Sequence, residues 1–593
     1  MQKSLNNKYH FLNCFSDNTE LIIFYPAKLI VFFVIILFCC RLSFSQTTYP
    51  QDYFSAPLDI ALELSGSYGE LRNNHFHSGL DFRTQEVEGL NVYAVADAYV
   101  SRIKVSAYGF GNALYLTHPN GYVSVYAHLQ KFNKIITRYL RKKQYQKESF
   151  EIDLSLKPNE IRIKKGDTIA LSGNSGSSEG PHLHFEIREQ KKEIPINPLY
   201  FGFKIKDTIS PVINSIYCKD ELNGLYKFYE VEKQDNDYFV SVKDTLLFPS
   251  EFSLGISCFD FNTKNLSKNG IYSLSLYFDT TCYQKLCFSK FSFDESRFVN
   301  ALIDYKLLIE NNLKYIQSKL LPGNKLSLYD SIYNNGVIKI NDDIPHIITY
   351  IISDYEGNIS KLSFVVKRMM CEEKIAQAQI SDSSYFISYA STDTFTKDDI
   401  KLIFSSNSLY ENLFINLNSY KTENANHLLS NIFEIHYPNV PIHKSIKLSI
   451  KADSVADSLK SKLLIVNIKN NNKYSSVGGN FNEGFVSTNI NYFGKFAVSI
   501  DTIAPVIKPL NISQKTLDKR QKSLDFRITD ELSGISTYRA TLNGKWILME
   551  FDSKNNQLTY VIDDKLQTGS NQLVLNVFDK KQNSTELNIL INK

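Results

Sequence analysis

Short runs that alternate between apolar and polar positions recur along most of the 593-residue chain. They are rich in Tyr, Phe, Val, Ile and Thr, and clusters of Asn, Gly and Asp separate them. Alternation with a period of two, bounded by turn residues, predicts half-buried β-strands. At roughly 150 residues per domain, a chain of this length holds about four domains. The pattern therefore predicts a mostly β protein of several domains.

Two pairs of segments nearly repeat. DTISPVI (207–213) matches DTIAPVI (501–507), and DYEGNISKLSFVV (354–366) parallels DKKQNSTELNILI (579–591). Shared opening and closing segments predict one β-sandwich type used twice. The last unit, which includes DELSGISTYRATLNGKWILMEF, resembles bacterial immunoglobulin-like domains. Trp546 follows an Asn-Gly turn in it, and we interpret this residue as packing in a core or strand.

The alternation is absent from the start of the chain. Leu29–Cys40 is a 12-residue apolar run between Lys28 and Arg41. It is shorter than the roughly 20 apolar residues that cross a bilayer and suits the apolar region of a secretory signal. Small residues at Ser43 and Ser45 predict cleavage before Gln46. We therefore expect an exported protein in the periplasm or cell envelope.

A signal anchor is the alternative interpretation of this segment. Counted from Leu21, the apolar stretch reaches about 20 residues, but Pro26 and Lys28 interrupt it. The protein would contact a membrane through this segment only if the segment stayed uncleaved.

Charge and cysteine content narrow the possible chemistry. The 66 Lys and Arg residues nearly balance the 62 Asp and Glu residues, which argues against a nucleic-acid partner. Five cysteines remain after the predicted cleavage, and none of them lies in residues 46–217. A metal site in that region therefore has to consist of histidines and carboxylates.

Six of the 11 histidines fall between residues 75 and 184. His182 and His184 are two positions apart in an alternating run, so both side chains point to the same face of a strand. His77 and Asp81 offer a nitrogen and an oxygen from one short segment. Two His and one Asp leave the fourth position of a tetrahedral zinc site open, as in catalytic zinc sites.

His128 ends a second alternating run, GYVSVYAHL (121–129). The alternation places it on the face of Ser124 and Tyr126, and we expect this face to point into the same groove. A histidine beside an activated water can deprotonate it or stabilise an oxyanion.

Together these segments resemble the lysostaphin-type (LytM-domain) zinc endopeptidases of bacterial cell walls. That family carries HxxxD, a Tyr-x-His-Leu segment and HxH in this order, and the resemblance extends from about residue 60 to 200. It implies that His77, Asp81 and His184 bind Zn²⁺ and that His128 and His182 are catalytic. It also implies a small antiparallel β-sheet domain with a groove over the sheet.

The chain departs from the family in an insertion of some 30 residues after His128. A helix is predicted over about Lys131–Lys147. Its basic residues form either a solvated face, a basic wall that attracts acidic peptides or an anionic surface, or a lid. These residues are Lys131, Lys134, Arg138, Arg141, Lys142, Lys143 and Lys147.

The resulting division is a leader, a zinc peptidase domain with a basic insertion near 131–160, an immunoglobulin-like domain, a β-rich domain and a second immunoglobulin-like domain. The predicted bounds are 1–45, 46–206, 207–368, 369–500 and 501–593.

The resemblance implies an exported zinc endopeptidase that hydrolyses peptide bonds of peptidoglycan. Its β-domains would position it in the envelope or bind an envelope protein. The alternative is a catalytically silent or regulated scaffold that activates other cell-wall hydrolases, since about 390 residues are β-domain and about 140 peptidase.

Overall fold

The structure, a computed structural model, describes residues 49–593 except for several short segments. The omitted segments are 235–236, 243, 263–266, 371–384, 422–426, 470–472, 513–516 and 519. The predicted leader (1–45) and Cys371 lie outside the described residues. Across the described part of the chain, every helix is too short or too polar to cross a bilayer.

The first part of the chain (51–206) contains 14 strands and one helix, α1 (Lys134–Lys147). A 3₁₀ turn, Pro198–Phe201, follows the last strand. The strands are β1 Leu64–Gly66, β2 Leu71–Arg72, β3 His75–Phe76, β4 Leu80–Arg83, β5 Asn91–Tyr93, β6 Ala98–Val105, β7 Asn112–Thr117, β8 Tyr122–Ala127, β9 Lys131–Phe132, β10 Ile152–Ser155, β11 Arg162–Ile163, β12 Thr168–Leu171, β13 His182–Glu189 and β14 Pro195–Ile196.

Nine of these strands form the main sheet, in the order β1-β4-β13-β8-β7-β6-β10, with β11 beside β6 and β14 beside β13. All of its pairs are antiparallel. Along β13, the apolar face (Leu183, Phe185 and Ile187) is fully buried. Phe185 packs there against Phe82 and Tyr126. Burial of this face directs the other face of β13, which carries the histidines, toward the predicted site.

Helix α1 begins three residues later than predicted. Residues Lys131 and Phe132 form β9, which pairs with β12. Asn133 then caps the helix by accepting a hydrogen bond from the backbone N–H of Ile136, because an Asn side chain satisfies an unpaired N–H of the first turn. The helix ends at Glu148, which has a left-handed φ of 45°.

The second part (207–370) contains 12 strands joined in one continuous sheet, with two short helices, α2 Val299–Leu302 and α3 Tyr305–Asn311. Two 3₁₀ turns cover Phe293–Phe298 and Asn334–Gly336. The strands are β15 Val212–Asp220, β16 Tyr226–Gln234, β17 Asp237–Val240, β18 Leu246–Phe248, β19 Glu251–Phe259, β20 Ser273–Phe278, β21 Thr281–Cys287, β22 Ile316–Gln317, β23 Tyr329–Ile332, β24 Ile338–Lys339, β25 His346–Ser353 and β26 Ile359–Arg368.

The third part (385–500) has two five-stranded sheets around one apolar core, a two-stranded ribbon (β27 with β30) and a 3₁₀ turn at Asp457–Lys462. Its strands are β27 Tyr385–Ile387, β28 Asp393–Lys397, β29 Ile400–Phe404, β30 Leu413–Ile415, β31 Leu417–Tyr420, β32 Ile432–Ile435, β33 Ile446–Lys451, β34 Leu463–Ile468, β35 Tyr474–Gly478, β36 Asn480–Asn482, β37 Phe485–Ile490 and β38 Gly494–Ile500.

The fourth part (501–593) has two four-stranded sheets, in the orders β39-β40-β44-β43 and β42-β41-β45-β46, with a shared apolar core. The Asn543-Gly544 turn between β41 and β42 has φ values of 54° and 76°, as a type I′ hairpin turn requires. The strands are β39 Val506–Pro509, β40 Ser523–Thr529, β41 Ile535–Leu542, β42 Lys545–Trp546, β43 Glu550–Asp552, β44 Gln557–Val561, β45 Ser570–Asp579 and β46 Ser584–Asn592. The predicted mostly β fold class is thus confirmed.

One side of α1 contacts the fourth part. Tyr145 packs edge-on against Trp546, with ring centroids 5.0 Å apart, and the Lys565 ammonium lies 4.2 Å from the centroid of the same tyrosine ring. Glu148 forms an ion pair with Arg539. None of the three interpretations of the helix anticipated this contact, and Trp546 packs between two parts of the chain.

Candidate metal centre

Three donor atoms converge beside strand β13. His77 follows β3, Asp81 lies in β4 and His184 lies in β13 directly opposite Asp81. His77 Nε2 is 3.0 Å from both His184 Nδ1 and Asp81 Oδ1, and His184 Nδ1 is 2.8 Å from Asp81 Oδ1. All three side chains are buried. The structure therefore brings the three predicted ligands, here called the triad, to one point.

The donor set fits zinc. Zinc binds imidazole nitrogens and carboxylate oxygens at about 2.0–2.2 Å, so tetrahedral ligand atoms lie about 3.3 Å apart, close to the spacing seen in the triad. His77 Nδ1 donates to the carbonyl oxygen of Ser67 at 2.7 Å, and His184 Nε2 donates to Glu186 Oε1 at 2.8 Å. These bonds leave the lone pairs of His77 Nε2 and His184 Nδ1 directed at the shared point, as metal-binding histidines require.

Gly79 lets the segment of His77 and Asp81 approach β13. A Cβ atom added at Gly79 would lie 2.3 Å from the backbone oxygen of Phe185. Any larger residue would therefore push His77 and Asp81 away from His184.

The carboxylates of Asp81 and Glu186 stabilise positive charge on His184. Burial alone would raise the pKa of the Asp81 carboxyl, but His77, His182 and His184 hold that pKa well below its usual range. Although burial opposes charge on His184, hydrogen bonds to Asp81 and Glu186 raise the pKa of its imidazole to about 9. A metal cation at the shared point satisfies the same electrostatic demand.

Glu186 is a supporting residue that sequence reasoning missed. It is fully buried, and its carboxylate accepts from Ser78 Oγ as well as from His184. Burial opposes its charge, but Arg188 and His184 lower the pKa of this carboxyl to about 2. The strand alternation that linked His182 to His184 continues to Glu186 and gives a signal that would have identified it.

The two predicted catalytic histidines, here called the imidazole pair, lie beside the triad. The ring centroids of His128 and His182 are 4.8 Å apart, and His182 Nε2 is 3.5 Å from Asp81 Oδ1. His128 Nδ1 donates to the carbonyl oxygen of Ser175 at 2.9 Å, and His182 Nδ1 donates to that of Gly180 at 2.9 Å. Each imidazole therefore keeps a free lone pair on Nε2, the nitrogen that can accept a proton.

The strand face predicted to carry His128 into the groove was wrong, although the His128 side chain reaches the site. In the sheet, Ala127 is opposite His184, whereas Tyr126 is opposite Phe185 on the core face. The face of Ser124 and Tyr126 therefore points away from the groove. His128 reaches the site because its φ of 56° breaks the strand alternation.

Two other histidines of this region lie apart from the triad. His75 is exposed, and its Nδ1 contacts the carbonyl oxygen of Asn73. His118 is buried with Ser124 Oγ 2.8 Å from its Nε2, and burial lowers the pKa of its imidazole to about 4. Neither histidine belongs to the metal cluster formed by the described residues.

The loop that supports the imidazole pair is in turn held by the fourth part of the chain. The Lys554 ammonium donates to the carbonyl oxygen of Asn174 and, at 3.2 Å, to that of Ser178. Ser178 Oγ lies 3.2 Å from His182 Nδ1. The turn between β43 and β44 therefore contacts the loop on which both imidazoles depend.

Comparisons with known proteins find two matches to family models. Residues 75–146 and 151–198 match Peptidase family M23, and residues 384–501 match the Zu5-like domain. The first part of the chain is thus similar to this peptidase family over those residues. This match confirms the resemblance and the class of enzyme predicted from the three motifs.

Two relatives and one solved structure are similar to the first part of this chain. The chain is 35% identical over 123 residues to a protein of Haemophilus influenzae named as an uncharacterized metalloprotease, covering 21% of this chain and 20% of that one. It is 30% identical over 134 residues to the peptidoglycan DD-endopeptidase ShyB of Vibrio cholerae, covering 23% and 25%. The catalytic domain of lysostaphin from Staphylococcus simulans is 25% identical, with a TM-score of 0.18 over 23% of this chain and 90% of that one.

Proposed function

We propose that this protein is an exported zinc endopeptidase that hydrolyses peptide bonds of bacterial peptidoglycan. The observation that carries the proposal is the convergence of His77 Nε2, Asp81 Oδ1 and His184 Nδ1 within 3.0 Å of one another, with the imidazole pair alongside. The match to Peptidase family M23 spans all five residues.

The triad would hold the zinc ion, and Glu186 and the carbonyl oxygen of Ser67 would fix the rings of His184 and His77. When bound, zinc supplies Lewis-acid polarisation of the scissile carbonyl and activation of a water molecule.

The imidazole pair would move protons and stabilise charge. Burial and the neighbouring imidazoles of His184 and His182 lower the pKa of His128 to about 3, so this imidazole is neutral and its Nε2 is a proton acceptor at neutral pH. His182 Nε2 lies 3.5 Å from Asp81 Oδ1 of the triad. In the proposed reaction the two Nε2 atoms take the proton of the attacking water, donate to the developing oxyanion and deliver a proton to the leaving amine.

Peptidoglycan as substrate rests on the activity for which relatives such as the Vibrio cholerae peptidoglycan DD-endopeptidase are named. The matched residues span a fifth to a quarter of those proteins. Export follows from the predicted leader, and an envelope protein that binds the β-domains is part of the same proposal. The alternative of a silent scaffold is not favoured, because the ligand and imidazole sets are both complete.

The test uses the full mature chain and purified bacterial sacculi. We expect about one equivalent of zinc per chain by metal analysis and release of muropeptides with newly cut peptide bonds by mass spectrometry. Chelation should stop the release, and added Zn²⁺ should restore it, with the His184→Ala variant as the inactive control. Zinc-loaded wild-type protein that cuts no bond in sacculi would contradict the proposal and favour the scaffold.

A further inference from the structure

A separate cluster of carboxylates lies in the second part of the chain. Asp207 opens this part, Asp260 directly follows β19 and Asp354 directly follows β25. One carboxylate oxygen of each lies within 4.8 Å of the others. Asp260 and Asp354 are buried, at 2% and 4% exposure, and Asp207 is half-buried. Three carboxylates this close repel one another unless a proton or a cation intervenes.

Asp260 lacks the partner that a buried carboxylate needs. Its Oδ1 atom is shielded from solvent and has no hydrogen-bond donor among the described residues. In the same described residues, no Lys, Arg or His forms an ion pair with Asp207, Asp260 or Asp354. Burial, reinforced by the charges of Asp207 and Asp354, raises the pKa of the Asp260 carboxyl to about 8. An unpaired buried carboxylate is costly, and a bound cation removes that cost.

A small cavity adjoins these oxygens. It measures ≈ 30 Å³, and all three aspartates line it together with Asn262 and Glu356. A single water needs about 10–15 Å³ of such space, so the cavity accommodates one cation with a water ligand. Glu356 adds a fourth carboxylate to the lining, and oxygen atoms are the ligands that Ca²⁺ prefers.

The fourth part contains a matched cluster that differs from the first in two respects. Asp501, Asp530 and Asp579 also place oxygens within 4.8 Å of one another. Asp501 and Asp579 correspond to Asp207 and Asp354 in the repeated segments, and Asp530, like Asp260, directly follows a strand. Here the central carboxylate is satisfied, because Asp530 Oδ2 accepts from the backbone N–H groups of Leu532 and Gly534 at 3.2 and 2.7 Å.

A buried lysine lies two residues after the last aspartate of the second cluster. Lys581 is 6% exposed and donates to the carbonyl oxygen of Gly479 at 2.5 Å. Burial lowers the pKa of its ammonium, and the carboxylates of Asp501 and Asp579 partly offset that effect. In the repeat DYEGN/DKKQN, the residue at the position of Lys581 is Glu356. The first cluster thus carries a fourth carboxylate where the second carries an ammonium group.

We propose that Asp207, Asp260 and Asp354, with Glu356 beside them, form a binding site for one Ca²⁺ ion that the matched cluster lacks. The site lies where the first and second parts of the chain meet, since Ser67 lines the same cavity. Ser67 Oγ accepts from the backbone N–H of Gly270 at 2.8 Å, and Asn269 beside Gly270 pairs with Asp260. Calcium therefore stabilises this junction.

The proposal is tested by equilibrium dialysis of the full mature chain, loaded with zinc, against ⁴⁵Ca²⁺ in excess Mg²⁺. We expect one Ca²⁺ per wild-type chain and a rise of several degrees in the temperature of the first unfolding transition. Asp260→Asn should abolish both effects, whereas the matched variant Asp530→Asn should retain them.

The Glu356→Lys variant covers the case in which Asp260→Asn fails to fold. Glu356 is exposed, so the substitution leaves packing unchanged and replaces a carboxylate beside the three aspartates with an ammonium group. We expect it to keep the wild-type circular dichroism spectrum and zinc content and to lose Ca²⁺ binding. Wild-type protein without bound Ca²⁺, undiminished binding in folded Glu356→Lys, or a second equivalent lost in Asp530→Asn would each overturn the proposal.

Discussion

The triad and the imidazole pair lie side by side, but different parts of the molecule position them. Strand pairing positions the triad, since His184 is opposite Asp81 in the sheet and His77 hydrogen bonds to the Ser67 backbone. The imidazole pair depends on a loop, because His128 and His182 donate to loop carbonyl oxygens. Sheet pairing thus holds the proposed metal ligands, whereas loop carbonyl oxygens orient the rings of the proposed proton-transfer groups.

Removal of a triad histidine should have the largest effect. In His77→Ala or His184→Ala, the remaining ligands are one imidazole and one carboxylate, which bind zinc too weakly to retain it. We expect zinc content near zero and loss of peptide hydrolysis by about a thousandfold or more. Metal analysis and muropeptide release measure the two quantities. A variant that keeps a full equivalent of zinc would show that the triad does not hold the metal.

Substitution of His128 should separate the role of the imidazole pair in hydrolysis from the role of the triad in zinc binding. His128→Asn is the suitable change, because Asn tolerates the left-handed φ of 56° at this position. We expect a full equivalent of zinc and hydrolysis reduced about 10²–10⁴-fold, the usual contribution of a general acid–base group. His128→Ala should show the same zinc content and the same loss of hydrolysis as His128→Asn, but a lower unfolding temperature. Loss of zinc from a folded His128→Asn variant would contradict the division between the two regions.

Glu186→Gln should have an intermediate effect. The quantity that changes is the affinity for zinc. The amide keeps an acceptor for His184 Nε2 but removes the buried negative charge that orients and polarises the ring. We expect zinc to bind about 10–100-fold more weakly, with nearly normal hydrolysis once zinc is saturating. Competition with a zinc chelator measures the affinity. Unchanged affinity would mean that Glu186 serves only to pair with Arg188.

Lys554→Ala should have the smallest effect and tests whether the fourth part adjusts the imidazole pair. The substitution removes the hydrogen bonds to the Asn174 and Ser178 carbonyl oxygens and leaves the triad untouched. We expect normal zinc content and kcat lowered about two- to tenfold, in line with the loss of one charge-assisted contact. Lys545→Ala, at an exposed position of the same part, is the control. Equal activity of both variants would show that the loop holds its position without Lys554.

The local sequence pattern was sufficient to predict the parts of the candidate site that lie on strands. The two-residue spacing of His182 and His184 placed both rings on one face, and the absence of cysteine restricted the donors to His and carboxylate. The Asn543-Gly544 turn likewise followed from its residues alone. Each of these features depends on neighbouring residues and on the fixed geometry of a strand or turn.

Tertiary structure decided the rest. The direction of His128 depends on a left-handed backbone, which no alternation pattern encodes. The contact of Lys554 with Asn174 joins residues 380 positions apart. The junction of Ser67 with Gly270 spans 203 positions. Such contacts arise from how whole sheets pack, because packing satisfies many distant side chains at once, whereas residue spacing constrains only those that share an element.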